Sequence, residues 1–251
     1  MPAKLRVLLV GETWITVKTN IKGIDIFQVG GYENFGTWFM EAMAGFSDIQ
    51  AEHMPNHVAI GSFPSTPADI NRYDVIIFSD CGKNTISLYP EMFTVPMGPD
   101  RLALIKEYVG SGKAFAMAGG WNSYQGLNGI PGYHGTFIEE ILPVRIQATD
   151  DRVETPQGVR PSILSGDHPV FRGLPAEWPL FLGYNRVSPR PESEVLATIG
   201  PDPLIATWSF GKGRTMAFTS DLAKHWGTGF ISWEGYAGFW HNTVRWLSGN
   251  G

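Results

Sequence analysis

The chain has 251 residues, of which 43% are apolar and 17% charged, a composition that is typical of a globular protein with a large core. Its 19 basic and 24 acidic residues give a net charge of -5 with no basic run, which argues against a nucleic-acid partner. No apolar stretch reaches the roughly 18 residues that cross a bilayer, so we expect no membrane segment, and the N-terminus lacks a signal-peptide pattern.

The first half of the chain alternates strand and helix patterns. Continuous apolar runs predict buried strands, and apolar residues at helical spacing predict amphipathic helices. The clear elements are strands over 5–10, 74–79 and 114–118 and helices over 34–46 and 100–109. A weaker strand is predicted over 53–60. The glycine-punctuated segment 14–32 has no clear period, so we interpret it as a long excursion near the carboxyl edge of the sheet.

The second half is richer in turns. We predict a glycine-rich loop to Gly135, a short helix ending at Ile141, irregular strands over 144–164, a β-hairpin with strands 204–210 and 214–219, and a last helix over 233–247. The alternation of strands and helices implies right-handed crossovers and a mainly parallel sheet in an α/β fold. Since no repeat or linker interrupts the chain, we expect a single domain over 1–251.

The segment 113–126 places a candidate site at the edge of this sheet. Its strand breaks at Gly119-Gly120, and Trp121 is predicted to stand at the tip of the turn, where a helix could begin. The loops 80–85 and 220–226 follow two other predicted strands. The carboxyl edge of an open α/β sheet is its usual ligand crevice, so we expect these three loops to form one.

Two residues of these loops are candidates for catalysis. Cys81, the only cysteine, excludes an internal disulfide and fits a reducing cytoplasm. It is either a thiolate nucleophile activated by His225 or a small apolar core residue, and the adjacent Asp80 disfavours a thiolate. His225 is either a general base or a side chain that holds its loop through the backbone.

Other polar residues are weaker candidates for ligand contacts. Ser123 has no G-x-S-x-G around it, so it either contacts a ligand or caps a helix. His134 lies in a glycine-rich loop. Glu12 and Lys22 follow the first strand and either close over a ligand or are simply solvated. No histidine pair has zinc spacing, and neither G-x-G-x-x-G nor a Walker motif occurs, so we predict no metal and no cofactor.

Several short motifs together resemble one protein superfamily. They are Gly11-Glu12-Thr13-Trp14, Lys22-Gly23-Ile24-Asp25, Gly119-Gly120-Trp121 with Ser123-Tyr124-Gln125-Gly126, Asp167-His168-Pro169, and Thr219-Ser220-Asp221 followed by His225-Trp226. The chain resembles the class I glutamine amidotransferase-like superfamily, in particular its branch of uncharacterised cytoplasmic proteins, and more loosely the ThuA-like proteins. The resemblance implies a flavodoxin-like three-layer α/β/α sandwich with a C-terminal β-hairpin.

The same resemblance implies that the catalytic machinery has changed. Amidotransferases of this class carry a nucleophilic cysteine in a G-x-C-x-G-H-Q pattern, with a later histidine and glutamate. If Gln125 is aligned with that glutamine, Trp121 falls on the cysteine, and no His-x-Glu pair follows the last strand. The covalent route to glutamine hydrolysis is then absent.

The expected function is therefore binding rather than glutaminase chemistry. We expect a pocket at the carboxyl edge that takes a small polar metabolite, such as a sugar or an amide, in a cytoplasmic protein. Its expected lining is Trp14, Cys81, Asn84, Trp121, His225 and Trp226, with the backbone of Gly119 and Gly120 nearby. Two alternatives remain at this point: a cysteine hydrolase or amidase that uses Cys81 and His225, and a non-catalytic module that forms a homo-oligomer.

Overall fold

A computed structural model describes residues 4–250 of the chain and shows a mixed α/β fold built on one large sheet. Within these residues the sheet has eight strands. In order across the sheet they are β4 (Ile49–Met54), β1 (Leu5–Gly11), β5 (Val75–Ser79), β6 (Ala114–Ala118), β14 (Gly213–Phe218), β13 (Asp202–Phe210), β12 (Glu194–Ile199) and β9 (Ser162–Ile163). The first five strands are mutually parallel, and the last three extend the sheet in antiparallel fashion.

The other elements surround this sheet. Three two-stranded pairs are formed by β2 (Thr13–Lys22) with β3 (Asp25–Asn34), β7 (Val144–Ile146) with β11 (Val187–Pro189), and β8 (Arg152–Val159) with β10 (Phe181–Asn185). The helices are α1 (Thr37–Ala44), α2 (Asn56–Ser62), α3 (Pro67–Ile70), α4 (Lys83–Ser87), α5 (Arg101–Gly110), α6 (Phe137–Ile141), α7 (Thr228–Ile231) and α8 (Tyr236–Leu247), with single 3₁₀ turns at Leu127–Gly129 and Pro169–Phe171. Among the described helices, none is both long and apolar enough to cross a membrane.

The side chains of the central strands alternate between two cores, one on each face of the sheet. Val7 and Leu9 of β1 pack with α1 and α8 on one face, whereas Leu8 and Val10 pack with α2 to α6 on the other. Because both faces are covered, these strands are nearly continuous apolar runs, which is why their sequences were recognisable. The result is the predicted flavodoxin-like sandwich, with its mainly parallel sheet and the β13–β14 hairpin confirmed.

Segment 14–32 leaves the carboxyl end of β1 as a long excursion, as predicted, but the prediction missed its regular strand pairing. Strands β2 and β3 form a long antiparallel ribbon that we call the arm (residues 13–34). Beyond Trp14, every residue of β2 except Asn20 is exposed, and so is every residue of β3 before Asn34. Apart from Thr19, residues 15–22 alternate between apolar and polar types, but residues 25–32 do not, so the strand signal covers only half of the segment.

The prediction of a strand over 53–60 was wrong. The strand β4 ends at Met54, and Pro55 turns the chain directly into α2. Proline suits the first residues of a helix because its fixed φ is compatible with entry and its missing N–H is not needed there. The strand pattern over 53–60 therefore mixed the end of one element with the start of another.

Candidate functional site

Three carboxylates and a glycine meet at the carboxyl edge of the parallel strands. Glu12 follows β1, Asp80 follows β5, Gly120 lies just after β6, and Asp221 lies just after β14. All three acidic residues are buried. Parallel strands end at the same edge of the sheet, so four neighbouring strands bring these residues together.

The backbone at this edge is strained. Glu12, Asp80 and His225 adopt φ angles of 53°, 45° and 84°, in the left-handed region that residues with a side chain seldom occupy. Such conformations persist only where the surrounding structure imposes them, and they concentrate at functional sites. The strain thus marks the same edge of the sheet as the buried charges.

Gly120 is the point on which two of the carboxylates converge. Its φ is 140°, and a Cβ at this position would overlap both Asp80 Oδ1 and Asp221 Oδ1. The two carboxylates therefore approach each other across a backbone without a side chain. The glycine is required for both its conformation and its size.

The backbone amides of the two glycines are already occupied. Gly120 N donates to Asn185 Oδ1 (2.9 Å), and Gly119 N donates to Phe218 O (2.8 Å). Gly119 and Gly120 therefore shape the turn, and their N–H groups are not available to a ligand or to an oxyanion. This corrects the expectation that their amides serve a bound molecule.

Asp80 is held in place by the turn that follows β6. Asn122 N donates to Asp80 Oδ1 (2.7 Å), and Asp80 N donates to Ser123 Oγ (3.0 Å). Burial raises the pKa of Asp80 to about 6, against the opposing effects of the Asn122 amide, His225 and the indole of Trp14. Asp80 is thus a buried carboxyl whose protonation changes near neutral pH.

The other two carboxyls have raised pKa values for the same reason. Burial raises the pKa of Glu12, and the neighbouring Asp80 and Asp221 add to the effect, while Ser79 Oγ donates to Glu12 Oε1 and opposes it. Burial and Asp80 likewise raise the pKa of Asp221, whose Oδ2 accepts from Trp226 N (3.0 Å). Close, buried carboxyls do not all ionise, so this group retains protons.

The turn after β6 contains no helix. Residues 121–126 form consecutive bends, with Tyr124 at φ 50° and Gly126 at φ 54°. The predicted helix at Trp121 is therefore wrong, and so is the capping role considered for Ser123, whose hydroxyl accepts from Asp80 instead. The local sequence resembles a strand-to-helix elbow, but the hydrogen bonds to Asp80 hold the chain in a turn.

Two tryptophans of the site are joined by one carboxylate. Glu154, on β8, accepts from Trp121 Nε1 at Oε1 and from Trp226 Nε1 at Oε2, both at 2.9 Å. The ring of His225 lies edge-on to Trp121, with ring centroids 4.7 Å apart, and its Nδ1 is 3.3 Å from Asp221 Oδ2. Burial lowers the pKa of His225, so its imidazole is neutral at pH 7.

A cavity of about 480 Å³ opens in front of these groups. Its lining comprises Thr13, Trp14, Ile15, Asn56, His57, Ile60, Asp80, Thr85, Trp121, Asn122, Leu127 and Ile130. Most of this wall is apolar or aromatic, and Asp80 is the one carboxylate in it. Asn56 Nδ2 donates to Thr13 O and Asp80 O, while its buried Oδ1 has no partner within the described residues. A small-molecule site with a few fixed polar groups has this composition.

The structure places the predicted ligand residues in two groups. Trp14 and Trp121 line the cavity. Glu12 and Ser123 are chain neighbours of lining residues and His225 lies against Trp121, but these three and the fully buried Trp226 are not part of the lining. Asn84, Lys22 and His134 do not line the cavity either. Asn84 is exposed on α4, beside the lining residue Thr85.

Lys22 and His134 are occupied elsewhere. Lys22 stands at the tip of the arm over the ring of Phe27, and an extended strand of ten residues carries it about 30 Å from Thr13. His134 Nδ1 is 2.9 Å from Ile146 O and 3.5 Å from Glu139. Neither residue reaches the cavity of its own chain.

Cys81 is a core residue. It is 1% exposed, packs in the core that contains α4 to α6, and has a pKa raised by burial and by Asp80. Since the nucleophile is the thiolate, both effects act against reactivity. The structure therefore contradicts the candidate role of Cys81 as a catalytic residue partnered by His225.

This assignment predicts slow alkylation of Cys81. In the native protein at pH 8, we expect a thiol reagent to react about 100-fold or more slowly than in the urea-unfolded chain, because the thiol is buried and protonated. The unfolded chain is the control for reagent activity. Rapid native labelling whose rate rises with pH between 6 and 8 would show instead an accessible, activated thiolate.

Sequence reasoning missed several site residues for identifiable reasons. Asp80 and Asp221 each follow an apolar strand, so their position at the carboxyl edge was a usable signal. Glu154 and Asn185 lie on β8 and β10, which pair only with each other, and nothing in their local sequence indicates that they face the site. Among the described residues, no group of three or more His, Cys, Asp or Glu side chains is arranged to hold a metal ion.

Comparison with known proteins identifies the family. Residues 6–249 match the family described as "Putative glutamine amidotransferase". The chain belongs to this family. No protein with a curated description is similar enough to be matched.

Solved structures of similar chains show the same fold. This glutamine amidotransferase-like chain is 38% identical to cytoplasmic protein STM3548 from Salmonella typhimurium, over 97% of this chain and 99% of that one, with a TM-score of 0.92. It is 35% identical to cytoplasmic protein STM1381 from Salmonella typhimurium LT2, with the same coverage and TM-score. A ThuA-like protein from Bacteroides uniformis matches over 98% of this chain and 93% of its own length, with 14% identity and a TM-score of 0.57, which shows a shared fold.

Proposed function

We propose that this member of the family binds a small polar molecule, a sugar or an amide, at the carboxyl edge of its sheet and has no cysteine-based glutaminase activity. The observation that carries the proposal is the cavity in front of Asp80, which has two tryptophans in its wall and fixed polar groups at its base. The two Salmonella relatives are named as cytoplasmic proteins, and we propose the same location here.

The wall of the cavity suits a ring or a short polar chain. The aromatic faces of Trp14 and Trp121 can pack on the C–H groups of a sugar or the plane of an amide. Asp80 and Asn56 Oδ1 both accept hydrogen bonds, so they favour a ligand that presents hydroxyl or N–H groups. A ligand donor would also satisfy the buried Asn56 oxygen, which otherwise costs free energy.

The proposed absence of glutaminase activity rests on three features. Trp121 stands at the position that the family resemblance assigns to the nucleophilic cysteine, and tryptophan cannot form the acyl intermediate. Cys81, the only thiol in the sequence, is buried and has a raised pKa. The occupied amides of Gly119 and Gly120 leave no oxyanion-binding donors at that turn.

A second candidate function is acid–base catalysis on the bound molecule. It is favoured by Asp80, whose pKa of about 6 and strained backbone are typical of a group that exchanges protons. The neutral imidazole of His225, beside Asp221, adds a second acid–base group. Incubation of an identified ligand with stoichiometric protein separates the two functions, because recovery of unchanged ligand excludes turnover.

Thermal unfolding in the presence of candidate ligands tests the binding proposal. We expect at least one neutral sugar, amino sugar or carboxamide to raise the Tm of the wild type and to leave that of Trp121→Ala unshifted, since the variant loses one aromatic wall. Trp246→Ala is the matched control: Trp246 is partly buried near Arg214, at the opposite edge of the sheet. A ligand that shifts Trp121→Ala as much as wild type binds elsewhere, and its effect contradicts the proposal.

A further inference from the structure

Large apolar side chains predominate on one face of the arm. The pairing of β2 with β3 places Ile15 opposite Tyr32, Val17 opposite Gly30, and Ile21 opposite Ile26 on this face, with the polar pair Thr19 and Gln28 between the last two. The five large apolar side chains are between 53% and 71% exposed, and Ile24 at the tip is 98% exposed. We call this surface the apolar face of the arm.

The opposite face of the arm is different. It carries Lys18, Lys22, Asp25 and Glu33, with Phe27 and Val29 between them. Charged groups on one face favour contact with water there, whereas the other face carries no charged side chain and exposes five large apolar ones. The arm is therefore built to be covered on one side only.

The rest of the chain supports the arm only at its base. Asn56 N donates to Thr13 Oγ1 (2.9 Å), and Tyr32 packs edge-on against His57 with ring centroids 5.5 Å apart. A two-stranded ribbon without further packing is marginally stable in water. A ribbon of this length that leaves its apolar face in solvent lacks the burial needed to stabilise it.

We propose that a second copy of this chain covers the apolar face of the arm, so that the protein assembles through it. The six large apolar side chains on this face and at its tip, each with of the order of 100 Å² to bury, provide about 600 Å² from one copy. Two copies related by a twofold axis bury this area twice, because the same surface serves both, and the total of about 1,200 Å² reaches the lower end of the range for stable interfaces of standard size.

The chain also offers apolar surface for a partner's arm to meet. Phe93 and Val95, in the loop between α4 and α5, are 96% and 97% exposed. This loop lies beside α2, close to which the arm also begins: a Cβ on Gly61 would be 3.6 Å from Pro90. Association of two copies would bury both of these exposed apolar surfaces, the apolar face of the arm and the loop that carries Phe93 and Val95.

Assembly through the arm would also affect the candidate site, because the base of the arm forms part of its wall. The arm begins directly after the buried, strained Glu12, and its first residues Trp14 and Ile15 line the cavity. A copy docked on the apolar face would fix this wall of the cavity. That consequence rests on the proposed function, whereas the assembly itself is measured without any ligand.

Sedimentation velocity of the ligand-free protein from about 1 to 100 µM tests the assembly. For wild type we expect a mass at least twice the 27.7 kDa of one chain. Val17→Lys with Ile21→Lys should raise the dissociation constant at least 100-fold, because each lysine places a charge on the apolar face. Thr16→Lys with Asn20→Lys adds the same two charges to the opposite face of the same strand and should leave the constant unchanged within about twofold.

A second variant controls for the possibility that the lysine substitutions act by unfolding the arm. Replacing residues 17–30 by Asn-Gly shortens the arm to a tight hairpin at its supported base and should give a folded monomer, as judged by thermal unfolding. A wild type that remains monomeric at 100 µM overturns the proposal. The apolar face of the arm would then be a binding surface for a different protein. Retention of the wild-type mass by both the double lysine variant and the shortened chain also overturns it.

Discussion

Gly120→Ala is expected to lower the free energy of unfolding by about 3–5 kcal/mol, as measured by urea denaturation at pH 7. The new Cβ would overlap the carboxylates of both Asp80 and Asp221, and the φ of 140° is disfavoured for any residue with a side chain. Relief requires the two carboxyls to move apart. We therefore expect ligand binding at the cavity to be lost even at temperatures where the variant remains folded.

Gly135→Ala is the matched control for this substitution. Gly135 also has a positive φ, of 70°, but a Cβ there would meet no atom within 4 Å. It should cost about 1 kcal/mol, the usual penalty for placing alanine in a left-handed conformation. Equal losses in the two variants would show that backbone conformation alone matters and that Asp80 and Asp221 do not crowd Gly120.

Asp80→Asn is expected to stabilise the protein at pH 8 by about 1–3 kcal/mol while abolishing ligand binding. A carboxyl pKa raised from its usual 3.8 to about 6 corresponds to a cost of about 3 kcal/mol for ionising the side chain in the folded state. Asparagine keeps an oxygen that can accept from Asn122 N, and it removes the buried charge. Stability gained by loss of a functional charge is a known trade-off at active and binding sites.

The sign of the pH dependence follows from the raised pKa. Below about pH 4 the carboxyl of Asp80 is protonated in both the folded and the unfolded chain, so the variant and wild type should be equally stable. Between pH 4 and pH 6 the unfolded chain ionises first, and wild-type stability falls as pH rises. The free energy of unfolding of Asp80→Asn relative to wild type should therefore increase over this interval and level off above about pH 7. Urea denaturation at a series of pH values across that range measures this difference.

Asp25→Asn, an isosteric change on the exposed arm, serves as the control. It should leave the free energy of unfolding within about 0.5 kcal/mol of wild type at both ends of the pH range. A destabilised Asp80→Asn at pH 8 would mean that its hydrogen bonds outweigh the cost of burying the charge. In that case the main role of Asp80 would be to hold the turn after β6 in place. Its raised pKa would then no longer be evidence for a functional role at the candidate site.

Most of the sheet could be predicted because strands that are buried on both faces consist mainly of apolar residues. The run 75–78 lies between two helix layers and is apolar throughout, and helix 100–109 has its apolar residues on one face with Asp100 capping its N-terminus. The family resemblance was recognised from short motifs and is confirmed by the match over residues 6–249. These features depend on local sequence and on one buried face, which a pattern can show.

The failures have a different origin. The first strand of the arm alternates apolar and polar residues but the second does not, so no single period covers segment 14–32. Strand 53–60 merged two elements because Pro55 was not recognised as a helix start. The turn at 121–126 resembles an elbow in sequence, yet hydrogen bonds to Asp80, 42 residues away, keep it from becoming a helix.

The sequence by itself determined the fold class and the family, and it predicted the edge of the sheet at which the candidate site is proposed, because strand burial follows from local patterns. It also determined that any thiol chemistry would depend on Cys81 alone. Only the tertiary structure decided that Cys81 faces the core, that Asp80 and Asp221 meet across Gly120, and that Glu154 joins two tryptophans. These contacts connect residues far apart in the chain, and their pKa shifts arise from burial that no local pattern records.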